Sequence, residues 1–126
     1  MRNRISQVVL IAALLLVLGG SLMAQSIHTA MHTVDISRIY FDTERGTLSG
    51  LLYQPKDLTA PRPAVIVTHG YLNSAEMQDA NAIELSRRGF VVLALDMYDH
   101  GHSKGNPDHT GGFFKFWPET LYNAAV

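Results

Sequence analysis

Two continuous apolar runs, Ala64-Val65-Ile66-Val67-Thr68 and Phe90 to Leu95, flank a segment of helical character. This pairing constrains the fold more than any other feature. A strand apolar at every position, rather than at alternate ones, has two faces to bury. Two such strands joined by one helix predict a parallel βαβ unit with a right-handed crossover. The helix is expected over Ser74 to Arg88. Asn73 takes the N-cap role, Glu76 completes a capping box, and Gly89 serves as the residue that ends it. Ala80, Ile83 and Leu85 are expected to turn partly inward.

The flanking segments extend the α/β pattern. Val34 to Thr43 reads as a strand rich in β-branched and aromatic residues, Glu44-Arg45-Gly46 as a turn, and Thr47 to Tyr53 as the returning strand. Together they predict an antiparallel hairpin. Gln54 to Pro63 carries Pro55, Pro61 and Pro63 and reads as a loop. Downstream, Asn106 to Gly112 reads as a loop and Phe113 to Pro118 as an aromatic irregular segment. Glu119 to Val126 reads as the opening turns of a helix. The chain of 126 residues has room for one small domain.

The N-terminus sets the compartment. Arg2 and Arg4 precede an apolar run from Val8 to Met23, interrupted only by Gly19, Gly20 and Ser21. That is a secretory targeting pattern. From Ile5 to Ala24 the segment is also just long enough to span a bilayer, since about 20 residues are needed. The basic flank should stay cytoplasmic and send the remainder outward. An uncleaved signal anchor over 1–24 is favoured over a cleaved signal peptide, which would leave a secreted protein. Residues 25–33 then form a polar connector, with His28 and His32 solvated, and 34–126 form the domain. The formal charge of −1 comes with no basic patch, which argues against a nucleic-acid partner. The absence of cysteine excludes disulfides and thiolate metal sites.

The chemistry concentrates where the two strands end. His69-Gly70-Tyr71 follows the first strand directly. Acyl transfer passes through a tetrahedral oxyanion that preorganised backbone N–H groups stabilise. A glycine after a buried strand permits a sharp turn that aims the next N–H, that of Tyr71, into a site. Strand carboxyl ends are where ligands bind in parallel sheets. The plainer alternative is a strand-ending turn with no further role.

After the second strand comes Asp96-Met97-Tyr98-Asp99-His100-Gly101-His102-Ser103-Lys104-Gly105, which contains a literal Gly-x-Ser-x-Gly. A nucleophile elbow needs a strand, a strained turn bearing the serine, and a helix at once. Ser103 lies well past the end of its strand, and Lys104-Gly105-Asn106-Pro107-Asp108 cannot open a helix. A turn is therefore preferred over a nucleophilic Ser103. Asp96 is expected to fix the loop by hydrogen bonds to backbone N–H groups. Asp96, Asp99, His100, His102, Asp108 and His109 form a cluster with metal-ligand chemistry. Such clusters in glycine-rich loops are more often solvated or hydrogen-bonded, and no metal is assigned. Phe113, Phe114, Phe116 and Trp117 line a pocket above the site or simply pack over the sheet.

This series of hairpin, Pro-rich loop, strand with His69-Gly70-Tyr71, helix, and strand with Asp96 resembles the front half of an α/β-hydrolase. Among these hydrolases it most resembles the Xaa-Pro dipeptidyl-peptidase-like and serine-aminopeptidase-like groups. The resemblance covers Val34 to Val126. The family loop commonly reads Asp-x-Arg-Gly-His-Gly-x-Ser-x-Gly; here Tyr98 replaces the Arg and Asp99 replaces the Gly. The resemblance implies a serine hydrolase of ester, thioester or peptide-like acyl bonds that needs no cofactor. It also implies that nucleophile, acid and catalytic histidine follow Val126, so that this chain alone is a C-terminally truncated, inactive part holding the oxyanion turn. A small-molecule or peptide acyl compound is then the substrate, and the membrane is a partner through the N-terminal segment. The oligomeric state is not specified by the sequence. Two alternatives are a non-enzymatic, membrane-anchored binding domain on the same fold and a hydrolase using Ser103.

Overall fold

In the computed structural model, residues 2–105 and 116–126 are described. The order is α1 (Arg2–His28), β1 (Val34–Thr43), β2 (Gly46–Pro55), β3 (Ala64–Thr68), a 3-10 turn (Ala75–Gln78), α2 (Asp79–Arg87), β4 (Val91–Asp96), β5 (Lys104–Gly105) and α3 (Trp117–Ala125). The main sheet runs β1-β2-β4-β3, with β5 added beside the start of β2. β1 and β2 form the expected antiparallel hairpin, in register from Val34↔Pro55 to Thr43↔Gly46. β3 and β4 are parallel, from Ala64↔Val91 to Thr68↔Leu95. β4 pairs with β2 in the antiparallel sense, Tyr53↔Val92 through Ser49↔Asp96. The sheet is therefore mixed, and the βαβ unit is extended by the hairpin on one side.

The core lies between α2 and one face of this sheet. It is built from Val34, Tyr53, Ala75, Ala82, Val92 and Ala94, with Ile36, Leu51, Val67 and Ile83 packed against it. The alternation is that of a strand: Ser49, Leu51 and Tyr53 pair with Asp96, Ala94 and Val92 on the same face. At the far end of α2, Gly89 adopts φ +94°. Its N–H donates to Ser86 O at 2.9 Å and the Phe90 N–H to Leu85 O at 3.3 Å. These two bonds form a Schellman motif, and Gly89 ends the helix as expected.

The start of the helix departs from expectation. Ser74, not Asn73, precedes the first turn, and no side-chain cap is formed there. Ser74 Oγ instead donates to Glu76 Oε2 at 2.5 Å. The buried N–H of Ala75 donates to Asp96 Oδ1 at 2.7 Å, so a carboxylate from the end of β4 replaces the local cap. A 3-10 turn then precedes α2, which begins at Asp79. Ala80 is exposed, while Ala82 and Ser86 are buried. Ile83 and Leu85 are half-buried against the core as expected, and Ala80 is not.

α1 continues to His28, through residues anticipated as connector, because nothing in Gln25-Ser26-Ile27-His28 interrupts a helix. A turn follows in which Ala30, Met31 and His32 all have positive φ. His28 and His32 remain largely exposed, yet both are hydrogen-bonded. His28 Nε2 donates to Asp79 Oδ2 at 2.9 Å, tying the end of α1 to α2. His32 Nδ1 lies 3.3 Å from Thr29 Oγ1. α3 begins at Trp117, with Pro118 in its first turn, two residues before the anticipated start. Proline is tolerated there because first-turn N–H groups lack helical partners. The expected loop over Asn106 to Gly112 lies outside the described residues, as do Phe113 and Phe114.

Candidate functional site

Because β3 and β4 are parallel and end level at Thr68 and Leu95, their following loops leave the sheet side by side. His69 links them. Its Nδ1–H donates to Gly70 O at 2.7 Å, and its Nε2 accepts the Met97 N–H at 3.1 Å. Accepting requires a lone pair on Nε2, so the ring is the Nδ1–H tautomer. With both nitrogens engaged and 5% exposure, the imidazole acts as a strut between two loops. Gln78 Nε2 donates to Thr68 O at 2.8 Å, fixing the last carbonyl of β3.

The turn itself is strained at a different residue from the one expected. Gly70 does not adopt positive φ; Leu72, 76% exposed, does so at +57°. A Cβ placed on Gly70 would meet no atom within 4 Å. Gly70 thus leaves open space on the solvent side of the turn rather than supplying a left-handed backbone. Tyr71 follows, half-exposed, with its ring 6.0 Å from that of His100. His100 is buried and lies 5.3 Å from His69 and 5.5 Å from Trp117. The His69-Gly70-Tyr71 turn is therefore backed by an aromatic wall whose outer member comes from the start of α3. Phe116 faces elsewhere: the Arg45 guanidinium lies 3.5 Å from its ring centre. That guanidinium also binds Glu119 through two nitrogens at 2.8 and 2.7 Å, docking α3 on the hairpin turn.

Asp96 organises the floor. Its fully buried carboxylate accepts from the Ala75 N–H at 2.7 Å, the His102 N–H at 3.0 Å and Arg38 Nη1 at 3.1 Å. Arg38 reaches it from β1, crossing Ser49 of β2 at 3.0 Å and pairing with Glu76 through its other nitrogen. A buried carboxylate needs such a partner, since an unpaired one is strongly destabilising. The role anticipated for Asp96, fixing the loop through its backbone, is present. Arg38 was not anticipated; its partner lies on β4, two strands away in the sheet.

Ser103 is 5% exposed. Its hydroxyl donates to Asp96 O at 2.7 Å and accepts the Ser49 N–H at 2.8 Å. It closes the Met97–Ser103 loop onto β2 and β4. Lys104 and Gly105 then form β5 against Thr47 and Gly46, a pairing not anticipated for this turn. Gly101 has φ +52°, and a Cβ there would lie 2.2 Å from Asp96 Oδ1. The two departures from the family loop both have a local account. Asp99 adopts φ +60°, a conformation glycine takes freely and aspartate tolerates, and its Oδ1 accepts the Gly105 N–H at 2.8 Å. Tyr98 is buried and bridges Thr43 Oγ1 and Asn123 Nδ2, joining the loop to the hairpin turn and α3. Of the His and Asp cluster, Asp96 and Asp99 bind backbone N–H groups, His100 Nδ1 lies 3.0 Å from Tyr98 O, and His102 is exposed. Asp108 and His109 lie outside the described residues. Among the described residues no three His, Asp or Glu side chains converge as metal ligands.

No family model and no curated protein matches the sequence. Solved structures do match. The thioesterase domain from the curacin biosynthetic pathway is 16% identical over 72% of this chain and 32% of its own, with a TM-score of 0.61. A bacterial heroin esterase is 19% identical over 81% and 33%, TM-score 0.57. The hypothetical protein PA2218 from Pseudomonas aeruginosa is 24% identical over 75% and 31%, TM-score 0.58. The mixed sheet and its helices match part of the α/β-hydrolase fold. The chain spans about a third of the length of the solved structures it matches. Within this α/β-hydrolase fold, the His69 turn and the Asp96 loop occupy the carboxyl ends of parallel strands, the edge at which open α/β sheets bind ligands.

Proposed function

We propose that this chain is the oxyanion-bearing part of a membrane-anchored serine hydrolase that cleaves ester, thioester or peptide-like acyl bonds. One observation carries the reading: the turn His69-Gly70-Tyr71 sits at the carboxyl end of β3 and is held by the Met97 N–H bond to His69. In the reaction, the Tyr71 backbone N–H donates to the oxygen that becomes negative as the tetrahedral intermediate forms. Gly70 leaves room for the acyl group to approach, and His69 positions the turn without exchanging protons. Preorganisation is the catalytic contribution, because donors already aimed at the developing charge need no reorganisation. Nucleophile, acid and base come from sequence beyond the third of the fold that this chain covers. Ser103 holds the loop.

α1 supplies the anchor. Arg4–His28 is exposed along its length and apolar enough to cross a bilayer. Its 25 residues measure about 37 Å at 1.5 Å each, against a hydrocarbon core of about 30 Å. The domain then lies on the extracytoplasmic side, with Arg2 and Arg4 inside.

A serine-reactive fluorophosphonate tests the assignment on the chain itself. The expected result is no labelling. Labelling that disappears in Ser103→Ala would make Ser103 the nucleophile and overturn the proposal. In the longer protein, Tyr71→Pro, which removes the N–H, should lower kcat by about 10²–10³-fold with little change in KM. An unchanged kcat would remove Tyr71 from the site.

A further inference from the structure

Where α1 meets the domain, two cavities adjoin. One, of about 600 Å³, lies between the end of α1 and α2 and is lined on its apolar part by Ala24, Ile27, Ala80 and Ile83. The other, of about 810 Å³, is bounded by the turn that follows α1, by Lys56 and Arg62 of the Pro-rich loop, and by Arg87 and Arg88 at the end of α2. Arg87 lines both. The first cavity continues the apolar surface of α1, and the second is basic.

The charges in the basic cavity are incompletely neutralised. Lys56, Arg62, Arg87 and Arg88 face one lining carboxylate, Asp57. Glu84 alone serves both Arg87, at 3.2 Å, and Arg88, at 2.7 Å. Lys56 reaches Asp35 at 3.4 Å. Arg62 has no ion pair among the described residues. Ser86, 1% exposed, also lines this cavity, and its hydroxyl has no hydrogen-bond partner among the described residues. A buried hydroxyl left unmatched beside surplus cations is the chemistry of an anion site.

We infer that this junction binds one anionic phospholipid, its phosphate held by Arg62, Arg87 and Ser86 and one acyl chain lying in the groove between α1 and α2. Continuity with α1 selects a lipid over a soluble anion. Ile27 and Met31, 63% and 72% exposed, carry apolar surface from the helix to the rim of the basic cavity. A free phosphate would leave that groove empty. The site is remote from the His69 turn and owes nothing to the acyl-transfer chemistry. It rests on α1 being the membrane segment.

The test uses the full chain in detergent, titrated with phosphatidylglycerol or phosphatidylcholine, with bound lipid counted by native mass spectrometry. One phosphatidylglycerol should be retained preferentially. Arg62→Glu should weaken its retention by at least about fivefold, the size expected for one basic contact at a lipid surface. Ser86→Ala, which keeps every charge, should weaken it less. Equal retention of both lipids, or unchanged retention in Arg62→Glu, overturns the proposal. So does displacement of phosphatidylglycerol by millimolar inorganic phosphate, which would make the site one for soluble anions. Alkaline carbonate extraction of membranes reports separately on α1: a chain released by carbonate loses the anchor reading whatever its lipid retention.

Discussion

Ser103 has a chemically attractive sequence context and a structurally committed hydroxyl. Donating to Asp96 O and accepting from Ser49, it satisfies two buried backbone groups at once. Ser103→Ala should therefore cost about 1–3 kcal/mol of stability, the cost of leaving a buried partner unmatched, measured by urea unfolding in detergent. Gly101→Ala should cost more. The left-handed backbone alone costs an L-residue roughly 1–2 kcal/mol, and its Cβ would press on the Asp96 carboxylate. At this scale the sequence was informative wherever a residue's role depends on its neighbours in the chain. Asp96 at a strand end and Gly89 after a helix were legible for that reason. The positive φ of Leu72 was not, since nothing in its side chain favours that conformation. Arg38 was not either, because its partner lies far along the chain and two strands away.

Among elements, the coupling of α2 to the sheet is electrostatic at its start and hydrophobic along its length. Arg38→Met should destabilise by about 3–5 kcal/mol, because it strands the buried Asp96 carboxylate, and Asp96→Asn should recover part of that loss in the double variant. The Ser74 hydroxyl first, then the Glu76 backbone and the Arg38 charge, hold the Glu76 carboxyl below its usual value. Its contribution is present above the ordinary glutamate pKa and is lost as pH falls through the lowered folded one. Glu76→Gln should flatten the acid limb of a Tm-against-pH curve. Tyr53 behaves oppositely. Burial first, then its bond to Asp79, hold its pKa well above the ordinary tyrosine value. That contribution is present below about pH 10 and is lost as pH rises through the folded value, so Tyr53→Phe should soften the alkaline limb. The hairpin, β3 and β4 were legible because hydrophobic period and turn residues act locally. The 3-10 start of the helix was not. Its cap comes from Asp96, and a local rule gave the role to Asn73. β5, two residues long, carries too little pattern to be read in advance.

On the scale of the whole molecule, β3 is an edge strand of the described sheet. Its Val65, Ile66 and Val67 are only half-buried, and an apolar edge invites pairing between copies. Ile66→Lys should lower the self-association of the chain, followed by light scattering in detergent, while leaving its unfolding free energy within about 0.5 kcal/mol of wild type if the position is surface-like. A sharp fall in Tm would show that the face is covered. The Arg38–Asp96 contact has a consequence for recombination. The hairpin and the βαβ unit look like separable modules, with a Pro-rich loop as the natural crossover point between them. A chimaera joined at residues 56–62 would nevertheless pair one parent's arginine with the other parent's loop. Exchange between relatives at that boundary should succeed only when both parents carry the same charge pair, so the inheritable unit runs from β1 through Ser103.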